Sequence, residues 1–117
     1  MSKYCAHIAM YVKFKDGKQD KYPIWENVYL IVANDEESAL QKAQIIGKRI
    51  SGDSDGSFYW GDRSAEWVFA GVRKLISCSD DELDDGIELT YSEFEAKDEH
   101  QIQSFSSGKP VDIKYVE

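Results

Sequence analysis

The sequence contains few of the residues from which enzyme and metal sites are most often built. It has two cysteines, Cys5 and Cys78, and two histidines, His7 and His100. Two cysteines do not make a disulfide framework, and there is no CxxC pair for zinc or redox chemistry. The sequence also lacks a P-loop and the GxGxxG, HExxH and GxSxG motifs. We therefore expect no catalytic residues, no metal and no cofactor, and a structural role for each histidine.

Basic residues are also scarce, with 14 Lys and Arg against 22 Asp and Glu and a formal net charge of −8. This balance argues against nucleic-acid binding and against binding to anionic membranes. No apolar run approaches the roughly 20 residues of a membrane span, and the first residues do not resemble a signal peptide. We expect a cytoplasmic protein whose acidity either attracts a basic partner or serves only solubility.

The composition is otherwise that of a folded protein. Hydrophobic residues make up 42% of the 117 residues, which predicts a single domain, 1–117, able to bury a core without disulfides or metal. Three Trp, seven Tyr and five Phe are more aromatic residues than a minimal core needs. Some of them are therefore expected at the surface, where Tyr and Trp often make contacts.

Two alternating segments at the start predict an antiparallel hairpin with a turn at Asp16-Gly17. In the first, residues 4–14, one face holds Tyr4, Ala6, Ile8, Met10, Val12 and Phe14, and the other holds Cys5, His7, Ala9, Tyr11 and Lys13. In the second, residues 21–32, the predicted inward set is Ile24, Val28, Leu30 and Val32, and the outward set is Trp25, Asn27 and Tyr29. Glu26 interrupts the inward set, which indicates a bulge or an edge position.

A helix is predicted from Asn34 to Ile50. Asn34 is the expected N-cap, with Glu37 at the spacing of a capping box. Lys48 and Arg49 suit the negative end of the helix dipole. One stripe of the helix is apolar or small, as packing on a sheet requires; it consists of Ala39, Leu40, Ala43, Ile46, Gly47 and Ile50.

The second half of the chain alternates between loops and strands. Loop 51–64 ends in three aromatic residues, Phe58, Tyr59 and Trp60, which predict a short strand or an exposed patch. A long strand over 66–76 leads into an acidic turn, where Ser79 and Glu82 have the spacing of a capped helical turn. We expect a strand over 87–94, a polar loop over 96–110 and a final edge strand over 111–116.

This order, ββαβββ, predicts the α+β class: an antiparallel sheet of four to five strands with one main helix on one face. The other face would then carry Trp25, Tyr29, Tyr11 and His7. Half-exposed aromatic residues on such a face would form a binding or dimer surface. The alternative is that the loops 51–64 and 96–109 fold over it.

Two acidic segments are candidate cation sites. Asp53-Ser54-Asp55-Gly56-Ser57 resembles the start of a calcium loop, but the glycine comes too early and position twelve is Ser64, so a flexible loop is expected. The six acids between 80 and 88 are local in sequence, whereas catalytic metal ligands usually come from distant segments. We expect these acids either to form a turn in which they interact favourably with a helix dipole or to form a docking patch for a basic partner.

Three segments together resemble a known family. They are Ile31-Val32-Ala33 before Asp35-Glu36-Glu37-Ser38-Ala39, then Trp67 to Val72, and then Leu83 to Leu89 followed by Tyr91-Ser92. This pattern is similar to the bacterial family called domain of unknown function 4288, over about residues 4–95. The resemblance implies a bacterial, single-domain, cytosolic protein and supplies no catalytic residues.

Three functions fit these observations. The leading hypothesis is a non-catalytic interaction protein, in its concrete form an acidic inhibitor or immunity-type protein for a basic partner. The alternatives are a small-molecule or nucleotide-binding domain with a pocket between the helix and loop 51–64, and a structural homodimer joined through strand 111–116 or the aromatic sheet face. The candidate contact residues are Trp25, Tyr29, Phe58, Tyr59, Trp60, Asp80, Asp81, Glu82, Asp84, Asp85 and Glu88.

Overall fold

The computed structural model describes residues 1–78, Gly86 and residues 92–116. The predicted acidic turn and the first residues of strand 87–94 lie outside these described residues. The chain divides into two units, residues 1–87 and 88–117. Each unit is described separately below, and their union in a single domain stays a prediction.

The first unit is an antiparallel sheet with one long helix, which confirms the predicted α+β class. Its elements are β1 (Ser2–Phe14), β2 (Ile24–Ala33), α1 (Glu36–Arg49), β3 (Tyr59–Trp60) and β4 (Arg63–Cys78). The strand order in the sheet is β2-β1-β4-β3, so β1 is central and β2 lies at an edge. The aromatic segment at the end of loop 51–64 does form a short strand, β3, paired with the start of β4.

The core lies between α1 and one face of the sheet. On β1 this face consists of the predicted set, and Ala6, Ile8 and Val12 are completely buried. The helix approaches closely because Ala39, Ala43 and Gly47 on its inner side are small and buried. Gly47 lies against the Phe69 ring of β4, where even a Cβ atom would overlap the ring. The predicted helix stripe is therefore correct at these three positions.

The predicted faces of β2 are wrong. Tyr4 pairs with Ile31 and Ala6 pairs with Tyr29, and directly opposite residues share a face. The core face of β2 therefore carries Trp25, Asn27, Tyr29, Ile31 and Ala33. The set predicted to be inward lies on the other face and is exposed by 68% at Ile24, 51% at Val28, 51% at Leu30 and 39% at Val32. Because β2 is apolar on both faces, its pairing with β1, and not its own pattern, decides which face is buried.

The cap of α1 also differs from the prediction by one residue. The N-cap is Asp35. Its backbone is extended, and its carboxylate accepts a hydrogen bond from the Ser38 backbone amide, with Ser38 N at 2.7 Å from Asp35 Oδ1. This hydrogen bond from the Ser38 backbone holds the pKa of Asp35 below its ordinary value. Asn34 precedes the helix and has no capping role. Both residue types cap well, so the sequence alone does not choose between them.

Two register shifts distort the pairing of β1 with β4, between His7 and Ile8 and between Ala9 and Met10. The additional residues on β4 are Arg73 and Ala70, each of which lies between two consecutive pairs of the register. Bulges of this kind redirect a side chain. The β1–β2 register, by contrast, runs without interruption through ten pairs, so Glu26 marks an edge strand and not a bulge.

The second unit contains β5 (Glu93–Glu95), α2 (Glu99–Ser106) and β6 (Lys114–Val116), with β5 and β6 antiparallel. Helix α2 replaces most of the polar loop predicted over 96–110. Asp98 caps it by accepting from Gln101 N at 2.9 Å. The Phe105 ring lies 5.0 Å from the Phe94 ring, so a few apolar residues are enough to order this short helix. The final strand covers 114–116 of the predicted 111–116 and pairs with β5.

Among the described residues, no helix is long and apolar enough to cross a membrane.

Candidate functional site

Four aromatic side chains come together at one end of the first unit: Trp25, Phe58, Trp60 and Trp67. We call these the aromatic cluster. The ring centroids are 5.0 Å apart for Trp25 and Trp67, 5.4 Å for Phe58 and Trp67, and 5.9 Å for Trp60 and Trp67. Trp25 also contacts Trp60 edge to face at 6.0 Å. Trp67 is thus the centre of the cluster and contacts every other member.

The sheet register brings these distant residues together. Met10 pairs with Trp25 on one side of β1, and Val12 pairs with Trp67 on the other side, so both Trp residues share the core face. Loop 51–64 folds back on β4 through two hydrogen bonds between Gly52 and Trp67, of 2.8 and 2.9 Å. The Ala65 amide donates to the Phe58 carbonyl at 3.1 Å. The loop therefore delivers Phe58 and Trp60 to the cluster.

Two ion pairs fix the loop beside the first hairpin. Arg63 donates to both carboxylate oxygens of Asp16 and lies 3.7 Å from the centre of the Phe14 ring. The hydrogen bond from Arg63 holds the pKa of Asp16 below its ordinary value. Lys15 donates to Asp53, and this bond lowers the pKa of Asp53 and raises that of Lys15. These contacts leave Asp53 part of an ion pair and argue against the calcium-loop interpretation.

A small cleft opens beside the aromatic cluster. Its volume is about 140 Å³, and it is lined by Met10, Trp25, Asn27, Tyr29, Ile50 and Trp67. Ligand sites for drug-sized molecules usually measure about 300–1,000 Å³, so this cleft matches a single side chain and not a nucleotide. Trp25, at its rim, is 52% exposed. The cleft is chemically suited to hold one apolar or aromatic group, with the Asn27 amide as a polar contact.

The structure unites four of the predicted contact residues. Trp25, Phe58 and Trp60 belong to the aromatic cluster, and Tyr29 lines the cleft. Tyr59 precedes Trp60 in β3, so its side chain lies on the opposite face of that strand, where it is 57% exposed. The acids Asp80, Asp81, Glu82, Asp84, Asp85 and Glu88 lie outside the described residues.

Trp67 was missed as a site residue. The sequence places it in a strand, where it fits a simple core role. Its pairing opposite Val12 is what brings it beside Trp25, and that register has no local signal. An expectation that both Trp25 and Tyr29 lie on the face away from the helix was also wrong, for the reason given for β2.

His7 occupies a second polar site, on the face of the sheet opposite α1. Its Nδ1 donates to one oxygen of Glu26, and Arg73 Nη1 donates to the other. Since a carboxylate only accepts, the tautomer carries its proton on Nδ1. Nε2 is buried and has no hydrogen-bond partner among the described residues. With His7 only 3% exposed, a substrate has no access to this nitrogen, and the geometry favours the structural role that the sequence predicts.

Burial alone would raise the pKa of Glu26, but the hydrogen bonds from His7 and Arg73 outweigh it and hold that pKa below its ordinary value. Arg73 is the additional residue of a β4 bulge, so the bulge directs its guanidinium toward Glu26 on β2. Within the described ranges, no three His, Cys, Asp or Glu side chains are placed to hold a metal ion.

A comparison with protein families matches residues 3–92 to the model described as Domain of unknown function (DUF4288). The chain belongs to this family. The match covers the first unit from residue 3 onward, including the aromatic cluster and the His7–Glu26–Arg73 network. No curated protein and no solved structure matches the chain. Membership of this family confirms the resemblance predicted from the sequence and adds no site residues.

Proposed function

We propose that this member of the DUF4288 family is a non-catalytic interaction protein of the bacterial cytoplasm, which binds a basic protein in the manner of an acidic inhibitor or immunity-type protein. The observation that carries the proposal is the half-exposed Trp25 at the rim of a cleft the size of one side chain. Binding energy in protein interfaces concentrates in a few residues, often Trp and Tyr, that meet the partner in small pockets. A partner side chain entering the cleft would contact Trp25, Tyr29 and Trp67.

Rigid support makes the cluster suitable for this role. Trp67 lies between Phe58, Trp60 and Trp25, and loop 51–64 is bound to β4 through the backbone of Gly52. Because the rings are already packed, the side chains of this cluster would lose little conformational entropy when a partner binds. The anchor is therefore preformed.

Charge would set the partner's identity and its rate of association. The net charge of −8 raises the local concentration of a basic protein and speeds its encounter. Two exposed acids in the loop, Asp55 and Asp62, are close in sequence to the aromatic segment. In this proposal the acids Asp80, Asp81, Glu82, Asp84, Asp85 and Glu88 add to the same attraction.

The test is affinity capture from the host lysate at low and high salt, followed by measured affinity for the recovered protein. We expect one stoichiometric basic protein that is released at high salt. Trp25→Ala should weaken its binding at least tenfold. The matched control is Tyr22→Ala, which truncates a 55% exposed aromatic residue outside the cluster. Equal loss in both variants, or binding indifferent to salt, would contradict the proposal.

One observation supports the small-molecule alternative. The cleft lies between Ile50, at the end of α1, and Trp67, which Phe58 of loop 51–64 contacts. Its volume limits the ligand to a small fragment. A saturable thermal shift with a metabolite, abolished by Trp60→Ala, would favour this function over the first.

A further inference from the structure

The edge strand β2 carries few of the features that usually protect a sheet edge from pairing. Its ten residues, Ile24–Ala33, contain no Lys, Pro or Gly, and Glu26 is the one charged residue among them. Its pairing with β1 is continuous, so no bulge twists it away. Within the described part of the chain, no strand pairs with its outer side. A long, regular and apolar edge of this kind is a template for another strand.

Two hydrogen bonds show which backbone groups point outward from β2. The Pro23 carbonyl accepts from Val12 N at 2.9 Å and therefore points toward β1. The Val32 carbonyl accepts from Lys42 Nζ at 2.5 Å, on the outer side. Because backbone groups alternate along a strand, the amides and carbonyls of residues 24, 26, 28, 30 and 32 point outward, and those of 25, 27, 29 and 31 point to β1.

The same alternate residues carry the exposed apolar side chains. Ile24, Val28, Leu30 and Val32 are 39–68% exposed, on the face of the sheet opposite α1. Glu26 lies among them, but His7 and Arg73 bind its carboxylate. The stripe therefore presents an apolar surface without a free charge of its own.

We propose that a second copy of this chain adds to this edge, β2 against β2 in antiparallel orientation, with the two-fold axis at Val28. This register places Val28 opposite Val28 of the second copy and Ile24 opposite Val32 of it. Glu26 faces Leu30, so no pair of like charges meets. This two-fold pairing puts aliphatic side chains opposite each other at its centre, Val28 with Val28, and at both ends, Ile24 with Val32.

The exposed area is consistent with a weak dimer. Burying an aliphatic side chain completely removes roughly 60–120 Å² of apolar area from water. At the observed exposures, Ile24, Val28, Leu30 and Val32 offer about 200 Å² of apolar area per copy. With the edge backbone included, the two copies bury roughly 800 Å², below the usual size of specific interfaces, so we expect a weak dimer with a dissociation constant in the micromolar range.

The basic side of the edge also favours a second copy of this acidic chain. The groove beside the edge is lined by Leu30, Ile31, Val32, Ile45, Ile46 and two cations, Lys42 and Arg49. Positive charge at this place opposes the repulsion that a net charge of −8 causes between two copies. The dimer does require Lys42 to release the Val32 carbonyl, which then accepts from Ile24 of the second copy.

Sedimentation of the purified protein between about 5 and 500 µM tests the proposal. We expect a monomer–dimer equilibrium that Val28→Lys weakens at least tenfold, because two lysines would meet at the axis. The control is Ile102→Lys, which places the same charge at a 55% exposed aliphatic residue of α2. Circular dichroism confirms that both variants fold. A monomer throughout this range, or a dimer that Val28→Lys leaves intact, overturns the proposal.

Residue-resolved amide exchange by NMR gives a second, independent readout. The Glu26, Val28 and Leu30 amides should exchange fast in dilute protein and slowly in concentrated protein. The Asn27 and Tyr29 amides, bonded to β1, should be protected at both concentrations. Uniform protection independent of concentration would contradict the pairing. Because this experiment needs no partner, it can fail without affecting the proposed function, and the reverse also holds.

Discussion

Cys5 Sγ lies 3.1 Å from Cys78 Sγ, across the pairing of β1 with β4, although the two residues are 73 positions apart in the sequence. Neither of these two cysteines is joined in a disulfide. Their surroundings differ, since Cys5 is 2% exposed and Cys78 is partly exposed at the end of β4. Burial raises the pKa of Cys5 to about 11, and the hydrogen bond and the charge interaction with Cys78 contribute to the same shift.

The two thiols should therefore react differently with iodoacetamide. At pH 8, a pKa of about 11 leaves roughly one thousandth of Cys5 as thiolate, the reactive form. We expect peptide mapping by mass spectrometry to show alkylation of Cys78 and none of Cys5 in the folded protein. Both should react equally in guanidinium chloride, which is the control. Preferential labelling of Cys5 in the folded protein would show that the thiol is more accessible than its burial indicates.

The Glu26 network should make stability depend on pH in acid. The folded-state pKa of Glu26 lies below its ordinary value of 4.5. Its stabilising effect is thus fully present above about pH 4.5 and is lost as the pH falls through the lower, folded-state value. Glu26→Gln should lower the free energy of unfolding at pH 7 by about 1.5–3 kcal/mol, the size of a hydrogen bond to a charged group.

Urea unfolding at pH 7 and at pH 3 measures this effect. The difference between the wild-type protein and Glu26→Gln should be large at pH 7 and shrink at pH 3. Glu93→Gln, an exposed acid of β5, serves as the control and should change little at either pH. A constant difference for Glu26→Gln at both values would mean that its loss acts through packing and not through charge.

Gly47→Ala should destabilise the protein although alanine is the better helix former. The gain in helix propensity is about 1 kcal/mol. A methyl group at this position overlaps the Phe69 ring, and overpacking of this kind costs about 1–3 kcal/mol. We expect a lower melting temperature for Gly47→Ala, partly restored when Phe69→Leu is added. Gln44→Ala, at an exposed position of α1, gives the propensity effect alone and should not be destabilising.

Capping variants should distinguish the two candidate residues before α1. Asp35→Ala removes the acceptor for the Ser38 amide and should lower the melting temperature. Asn34→Ala removes no capping bond and should leave it nearly unchanged. The effect of Asp35→Ala should decrease in acid, because the lowered pKa of Asp35 makes the charged cap the stabilising form. An equal loss in both variants would contradict the cap assignment.

Patterns within single elements were enough for much of the fold. The alternation of residues 4–14 predicts both faces of β1 correctly, because its core face holds large apolar residues throughout. The small residues of α1 predict close packing on the sheet, and the three aromatic residues after loop 51–64 do form a short strand. The α2 segment was missed because its apolar content is low, and a capped helix of eight residues gives only a weak periodic signal.

The candidate site could be predicted only in part. Trp25, Tyr29, Phe58 and Trp60 stand out as spare aromatic residues, but the sequence pattern predicts a sheet face for the first two and a loop for the others. Trp67, which joins them, has no local signal. The predicted acids between 80 and 88 lie outside the described residues, so their role remains a prediction.

The sequence by itself determined the α+β class, the central strand β1, the helix α1 and the acidic character of this protein, because periodicity and charge are properties of short segments. Only the tertiary structure decided which face of β2 is buried, since that strand is apolar on both faces and takes its orientation from its register with β1. The same long-range pairing brings Trp67 beside Trp25, Cys5 beside Cys78 and Glu26 between His7 and Arg73. Contacts of this kind join residues far apart in the chain, and no local pattern encodes them.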